Sequence, residues 1–193
     1  MKKDDNTTKQ RLINAGIELF GKHGYSAVST KQISEYSGIN SALVSYHFGG
    51  KEKFYHAVIR GITDELIDWF QSQEQVNLDT ASLSLTELRE HLKVSLKHFY
   101  AWFYSLHGAC GTNMFFREII SQEHPAVNTE FARAAAFITP YMYNLLTSYY
   151  TKVGKPEVNV SFIWILLISV VQNISLHSNA PEEAQQAFRD AQI

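Results

Sequence analysis

Apolar residues recur at intervals of three and four along most of the chain. This spacing gathers side chains on one face of an α-helix, so the pattern predicts an all-α protein. From Thr7 or Thr8 to about His23, Leu12, Ile13, Ala15, Ile17, Leu19 and Phe20 form such a face, and residues 1 to 6 read as a flexible arm. His23-Gly24-Tyr25 closes this helix, with Gly24 as the left-handed cap and Tyr25 packing back. Between Ser29 and Phe54 the pattern tightens into two short helices joined by a turn. Thr30 can cap the first by accepting from the unpaired donors of its first turn, and Ile33 and Ser37 share its face. Gly38 ends that helix at positive φ, and Ile39 gives the turn an apolar plug. Asn40 or Ser41 starts the second helix, which runs to Phe48. Gly49-Gly50 then turns the chain into a long fourth helix from Lys51, bearing Phe54, Tyr55, Val58, Ile59, Ile62, Leu66, Trp69 and Phe70.

Residues 71 to 86 are polar and read as a loop. Ser84 or Thr86 can cap the next helix, Leu88 to about Ser105, along which Leu92, Leu96, Phe99 and Phe103 recur. Gly108 and Gly111 flank Cys110 and are expected to break or bend it, with helix resuming from Met114 to Ser121. His124-Pro125 opens a long helix, Ala126 to about Lys152, because proline suits a first turn and pushes the preceding residue out of helical geometry. Pro140 is expected to kink it. After the turn at Gly154-Lys155-Pro156 comes a final large helix, Asn159 to about His177, apolar on nearly every side from Phe162 to Val171. Such a helix must be covered on both faces, by its own chain or by a second copy. The polar tail from Pro181 to Ile193 reads as a short helix.

Length and charge narrow the picture. At 193 residues the chain can bury a substantial core without staples, as two domains or one helical body. One cysteine, Cys110, excludes an intramolecular disulfide and fits a reducing compartment. The opening MKKDDNTTKQR is no signal peptide, and the apolar run at Phe162 falls short of the roughly 20 residues of a membrane span, so the expected location is cytoplasmic. The net charge is −2, but residues 1 to 61 hold nine Lys/Arg against five Asp/Glu and the remainder eight against fourteen. A basic head on an acidic body is the distribution expected when one end meets phosphate.

The segment from Ser41 to Phe48 adds candidate chemistry. Leu43, Val44 and Phe48 can face inward, while Ser41, Ala42, Ser45, Tyr46 and His47 are small, hydroxylated or aromatic-polar. Such residues suit a helix laid into a DNA major groove, where short side chains permit close approach and polar ones reach bases or phosphates. They equally suit an ordinary surface helix. Three motifs extend the reading: LINAGIELFGKHGY in the first helix, STKQISEYSGIN in the second, and SYHFGGKEKF, an aromatic pair followed by a small turn and Lys-Glu. In this order, the run from Thr8 to Phe54 resembles the amino-terminal DNA-binding domain of the tetracycline-repressor (TetR) family of transcriptional regulators. The resemblance implies a three-helix helix-turn-helix domain over residues 1–54 and a helical effector-binding and dimerisation domain over 55–193. By the same resemblance, Tyr46, Lys51, Thr30 and Lys31 would contact phosphates, Ser41, Ala42 and Ser45 would face the groove, and His47 would lie near the backbone. The chain departs from the commoner pattern at Gly49, where proline is frequent, and at Ser45, where an aromatic is frequent. Base preference is what those departures affect.

The resemblance also implies a homodimer built from the last two long helices, with Tyr141, Leu145, Phe162, Ile165, Leu166 and Ser169 as interface candidates. Independently, a two-fold dimer spans two half-sites of a palindromic operator, which one reader cannot do. The middle of the chain is rich in aromatic residues, the composition of a small-molecule pocket, and Phe99, Trp102, Phe103, His107, Phe115, Arg117 and Tyr141 are candidates for an effector site. Core packing accounts for most of these aromatics equally well. Cys110 and His107 could pair on one helical face, but no third orienting group or oxyanion element accompanies them. His91, His98 and His107 lack metal-site spacing, and no glycine-rich phosphate loop occurs. The expected protein is therefore no enzyme and needs no cofactor or metal. It is a regulator, most simply a repressor released by a small molecule, with a helical interaction module that does not read DNA as the alternative.

Overall fold

The computed structural model describes residues 2–73 and 78–178. The tail from Pro181 onward and the middle of the expected 71–86 loop lie outside the described residues. Among the described residues the chain forms eight α-helices and no strand. They are α1 (Lys2–His23), α2 (Thr30–Ser37), α3 (Ala42–Phe48), α4 (Lys51–Gln73), α5 (Leu85–Tyr104), α6 (Leu106–Ser121), α7 (Pro125–Lys152) and α8 (Val160–Ser178). No helix among the described residues is long and apolar enough to cross a membrane.

The helices group into two compact units. One holds the chain up to Leu66 together with Leu106–Arg133, and the other holds Ile67–Ser105 together with the chain from Ala134. Of the three divisions, one falls inside α4, one between α5 and α6, and one inside α7. In the first unit α1 buries Leu12, Ala15, Ile17 and Phe20 and packs on α2 and α6. The approach of α1 to α6 is close enough that a Cβ built on Gly21 would stand 2.4 Å from the Cβ of Cys110. On the same helix as Cys110, a Cβ on Gly111 would stand 2.7 Å from Ile62 of α4. The expectation that Gly108 and Gly111 interrupt a helix is thereby corrected: both lie within α6. The interruption is at Ser105, whose extended backbone (φ −68°, ψ 159°) separates α5 from α6. Glycine tolerates a helix interior where its bare face admits a neighbour, as Gly111 admits Ile62.

In the second unit α5 packs on α8, with the Phe99 and Trp164 rings 5.4 Å apart and the Tyr100 hydroxyl donating to Leu167 O at 3.1 Å. The Ser95 and Tyr141 hydroxyls pair at 3.0 Å, and Met142, Leu145 and Leu146 of α7 complete the buried side. Two helix starts differ from expectation. α1 begins at Lys2, since nothing in KKDDNTTKQ stops a helix, and α5 begins at Leu85. There Ser84 is the cap, its Oγ accepting from Glu87 N while the Glu87 carboxylate accepts from Ser84 N. Pro140 lies inside α7, and α7 opens at Pro125 as the proline rule anticipates.

Candidate nucleic-acid interface

The helix-turn-helix is closed by local hydrogen bonds at each end of its parts. Ser29, not Thr30, caps α2: its Oγ accepts from Gln32 N at 3.2 Å, and Gln32 Oε1 accepts from Ser29 N at 2.8 Å. The pair is a reciprocal box in which Gln at the third helical position satisfies the donor that Ser leaves open. Thr30 is the first residue of the helix and half-buried. Gly38 ends α2 at φ 65°, as its place predicted, while Ile39 is buried in the turn. Arg11 of α1 donates to Ser37 O at 2.8 Å and so secures the end of α2. Just ahead of α3, Asn40 Oδ1 accepts from Ala42 N at 2.9 Å, while Ser41, the residue at the cap position, makes no side-chain capping bond.

α3 then sorts its side chains. Val44 is fully buried and Phe48 packs edge-on against Phe54, with centroids 4.9 Å apart. Ala42, Ser45 and Tyr46 face solvent, and Tyr46 is 79% exposed. His47 is half-buried with its ring edge-on to Tyr46 at 5.0 Å. The exposed tyrosine thus stands beside a serine and an alanine on a hydroxyl-bearing, solvent-facing surface. Gly49 (φ 77°) and Gly50 (φ 121°) make the turn into α4 without a proline.

Two lysines accompany this surface. Lys31 is exposed and its 3.8 Å approach to Glu35, one helical turn on, is a weak pair that a phosphate can displace. Lys51, at the start of α4, is half-buried, with Nζ 4.1 Å from the centre of the Tyr25 ring. Its partial burial lowers its pKa, and the ring's negative face holds the ammonium in place. All eight candidate DNA-binding residues, Thr30, Lys31, Ser41, Ala42, Ser45, Tyr46, His47 and Lys51, lie in the first unit.

The effector candidates divide between the units. Phe99, Trp102 and Tyr141 are buried and Phe103 half-buried in the second. In the first, His107 Nδ1 meets Glu65 Oε2 at 2.8 Å, Phe115 packs on Phe131 at 4.4 Å, and Arg117 donates to the carbonyls of Phe20, Gly21 and Lys22 at 3.0 to 3.1 Å. Arg117 thus closes the end of α1, a role with no local signal in the sequence. Of the interface candidates, Tyr141 and Leu145 are buried in their own unit, while Phe162, Ile165, Leu166 and Ser169 are exposed on α8. Cys110 is buried against Gly21, and burial pushes its thiol pKa up, with the Glu18 charge adding to the rise. With His107 engaged by Glu65, the thiolate–imidazole reading of Cys110 has no support.

Residues 12–58 match the family described as "Bacterial regulatory proteins, tetR family". This stretch of the chain is similar to the amino-terminal domain of that family. Curated relatives of this tetR-type domain include the transcriptional regulatory protein RaaS of Mycobacterium tuberculosis, 38% identical over 66 residues, which are 34% of this chain and 31% of that protein. The regulator RutR of Escherichia coli is 27% identical over 89 residues, 46% of this chain and 40% of that protein. The matches therefore span well under half the length of these relatives, both of which are named as transcriptional regulators and not as enzymes. Among solved structures, a putative transcriptional regulator from Pseudomonas aeruginosa superposes with a TM-score of 0.62 at 17% identity, covering 89% of this chain and 78% of that one. The fatty acid degradation regulator FadR of Bacillus halodurans gives 0.59 at 14% identity, covering 96% and 87%. At such identities the likeness is one of fold.

Proposed function

We propose that the chain is a sequence-specific DNA-binding transcriptional regulator of the cytoplasm, working as a homodimer on a palindromic operator. The observation that carries this reading is α3, whose Val44 is fully buried while Ala42, Ser45 and Tyr46 stand outside. In this reading residues 1–54 read DNA, with Ser41, Ala42 and Ser45 toward the base edges and Thr30, Lys31, Tyr46, His47 and Lys51 toward the phosphates. Residues 55–193 take the effector and form the dimer. Dimerisation is supported by α8, where Phe162, Ile165 and Leu166 are 57%, 61% and 47% exposed in the single chain. A contiguous apolar face of this kind calls for a cover, and the same face of a second copy provides one.

Repression relieved by a small molecule is the regulatory form we favour. A relative of the domain, NicS of Pseudomonas putida, is named a repressor, and the aromatic side chains around Phe99, Trp102 and Phe103 supply the apolar walls a ligand needs. Such a ligand acts only through unequal affinity for the DNA-competent and incompetent shapes. The test is a gel shift at several salt concentrations. Tyr46→Ala and Lys51→Ala weaken binding on every duplex alike, Lys51→Ala also lowering the salt slope by about 0.9 for the phosphate its ammonium no longer neutralises, whereas Ser45→Ala shifts the preference among sequences. Binding equal to wild type in both of the first two variants overturns the assignment.

A further inference from the structure

The turn that follows α1 is held by residues far outside the stretch 12–58. His124 stands at the corner between α6 and α7 and is buried. Its ring packs edge-on against Tyr25, with centroids 4.3 Å apart, and against Tyr55 at 5.1 Å. Glu118 of α6, also buried, grips His124 twice: Oε1 lies 3.0 Å from Nδ1, and Oε2 accepts the backbone N–H at 3.2 Å. The Tyr55 hydroxyl donates to the same Oε1 at 2.9 Å. Tyr25 in turn carries the Lys51 ammonium over its ring.

Burying a carboxylate is unfavourable, and an apolar side chain would fill the same volume without that penalty. What the carboxylate adds is direction: its hydrogen bonds to His124 fix the angle of one imidazole, and that imidazole bears on Tyr25 beneath Lys51. A lysine left to itself samples many rotamers of its four-carbon stem, and a contact made from a fixed position loses less on binding. Arg117, one residue before Glu118, donates to the last carbonyls of α1 and sets the same helix against the same turn.

We infer that Glu118 and His124 are positioning residues for DNA binding, which hold Tyr25 and through it the ammonium of Lys51 where a phosphate is met. The inference rests on the DNA-binding reading above. It also places the corner between α6 and α7, far along the chain, within the machinery that sets affinity for the duplex backbone.

The test is a double-mutant cycle on the full chain, read by fluorescence anisotropy with a labelled duplex pool of random sequence, because a phosphate contact is felt on any sequence. Lys51→Ala is expected to weaken binding several-fold and to flatten the salt dependence. His124→Leu, which keeps the volume buried but removes the ring, is expected to reproduce part of that loss and to add nothing in the Lys51→Ala background. Glu118→Gln is carried through the same cycle, with thermal melts of each variant, so that a His124 variant that fails to fold does not end the test. Losses that add fully to that of Lys51→Ala, or His124→Leu and Glu118→Gln chains that bind as wild type while Lys51→Ala does not, overturn the inference alone. A Lys51→Ala chain with unchanged affinity and salt slope overturns it together with the phosphate role of Lys51.

Discussion

Gly21 has no side chain because the Cβ of Cys110 occupies the place where one would stand, 2.4 Å away. Gly21→Ala is therefore expected to destabilise the fold by about 1–3 kcal/mol, measured by urea unfolding, as α1 and α6 are forced apart. Cys110→Ala does not relieve the loss, since alanine retains the Cβ that clashes. This close approach was illegible in the sequence, where Gly21 reads as an ordinary helix glycine and its partner lies far along the chain. The cap of α2 was legible but ambiguous: Ser29 and Thr30 are both capable, and Gln32, three residues after Ser29, decides between them by closing the reciprocal box. Of the outward set on α3, Ala42, Ser45 and Tyr46 followed from the sequence alone, because Val44 and Phe48 are one turn apart and leave them on the other side, whereas Ser41 and His47 are half-buried. What the sequence withheld was the set of long-range polar groups, Arg117, Glu118 and His124, that hold the turn at Tyr25.

At the scale of elements, the helices were legible from their periodicity and their ends from proline, serine and positive-φ glycine. The end of α5 near Ser105 was legible too, but the immediate start of α6 at Leu106 was not, because Gly108 and Gly111, the latter set against Ile62, looked like helix breakers. α6 is also where a pH response belongs. His107 near its start is bonded to Glu65 of α4, and that bond, outweighing the opposite effect of burial, raises the His107 pKa above the usual 6.5. Proton binding is then tighter in the folded chain than in the unfolded one. The pair's contribution to stability is fully present below the unfolded value near 6.5 and is lost as the pH rises through the higher folded value. The melting temperature of the wild type should accordingly fall toward that of His107→Gln across this window, and the two should run parallel on its alkaline side. The difference is expected to be small, because Glu65 is nearly half exposed and water screens the pair. A gap between the two melting curves that widens as the pH rises contradicts the assignment.

For the whole molecule, a basic amino-terminal portion shares the chain with an apolar helix near its other end. The bareness of α8 was anticipated from its composition, and Phe162, Ile165 and Leu166, the interface candidates, turn out, while Trp164, which the sequence did not single out, turns inward to Phe99. Ile165→Glu, placing a charge on the exposed face, is expected to convert the proposed dimer to monomer in sedimentation equilibrium while leaving the helical content intact. Its affinity for a palindromic duplex should fall to that of a single half-site. Selection of bound duplexes from a random pool by the purified chain, followed by sequencing, bears most directly on the regulator reading. Enrichment of a palindrome is expected, with half-sites about 34–36 Å apart along the duplex or a multiple of that. A pool that emerges without enrichment, or with a lone unrepeated site bound by a single chain, contradicts that reading.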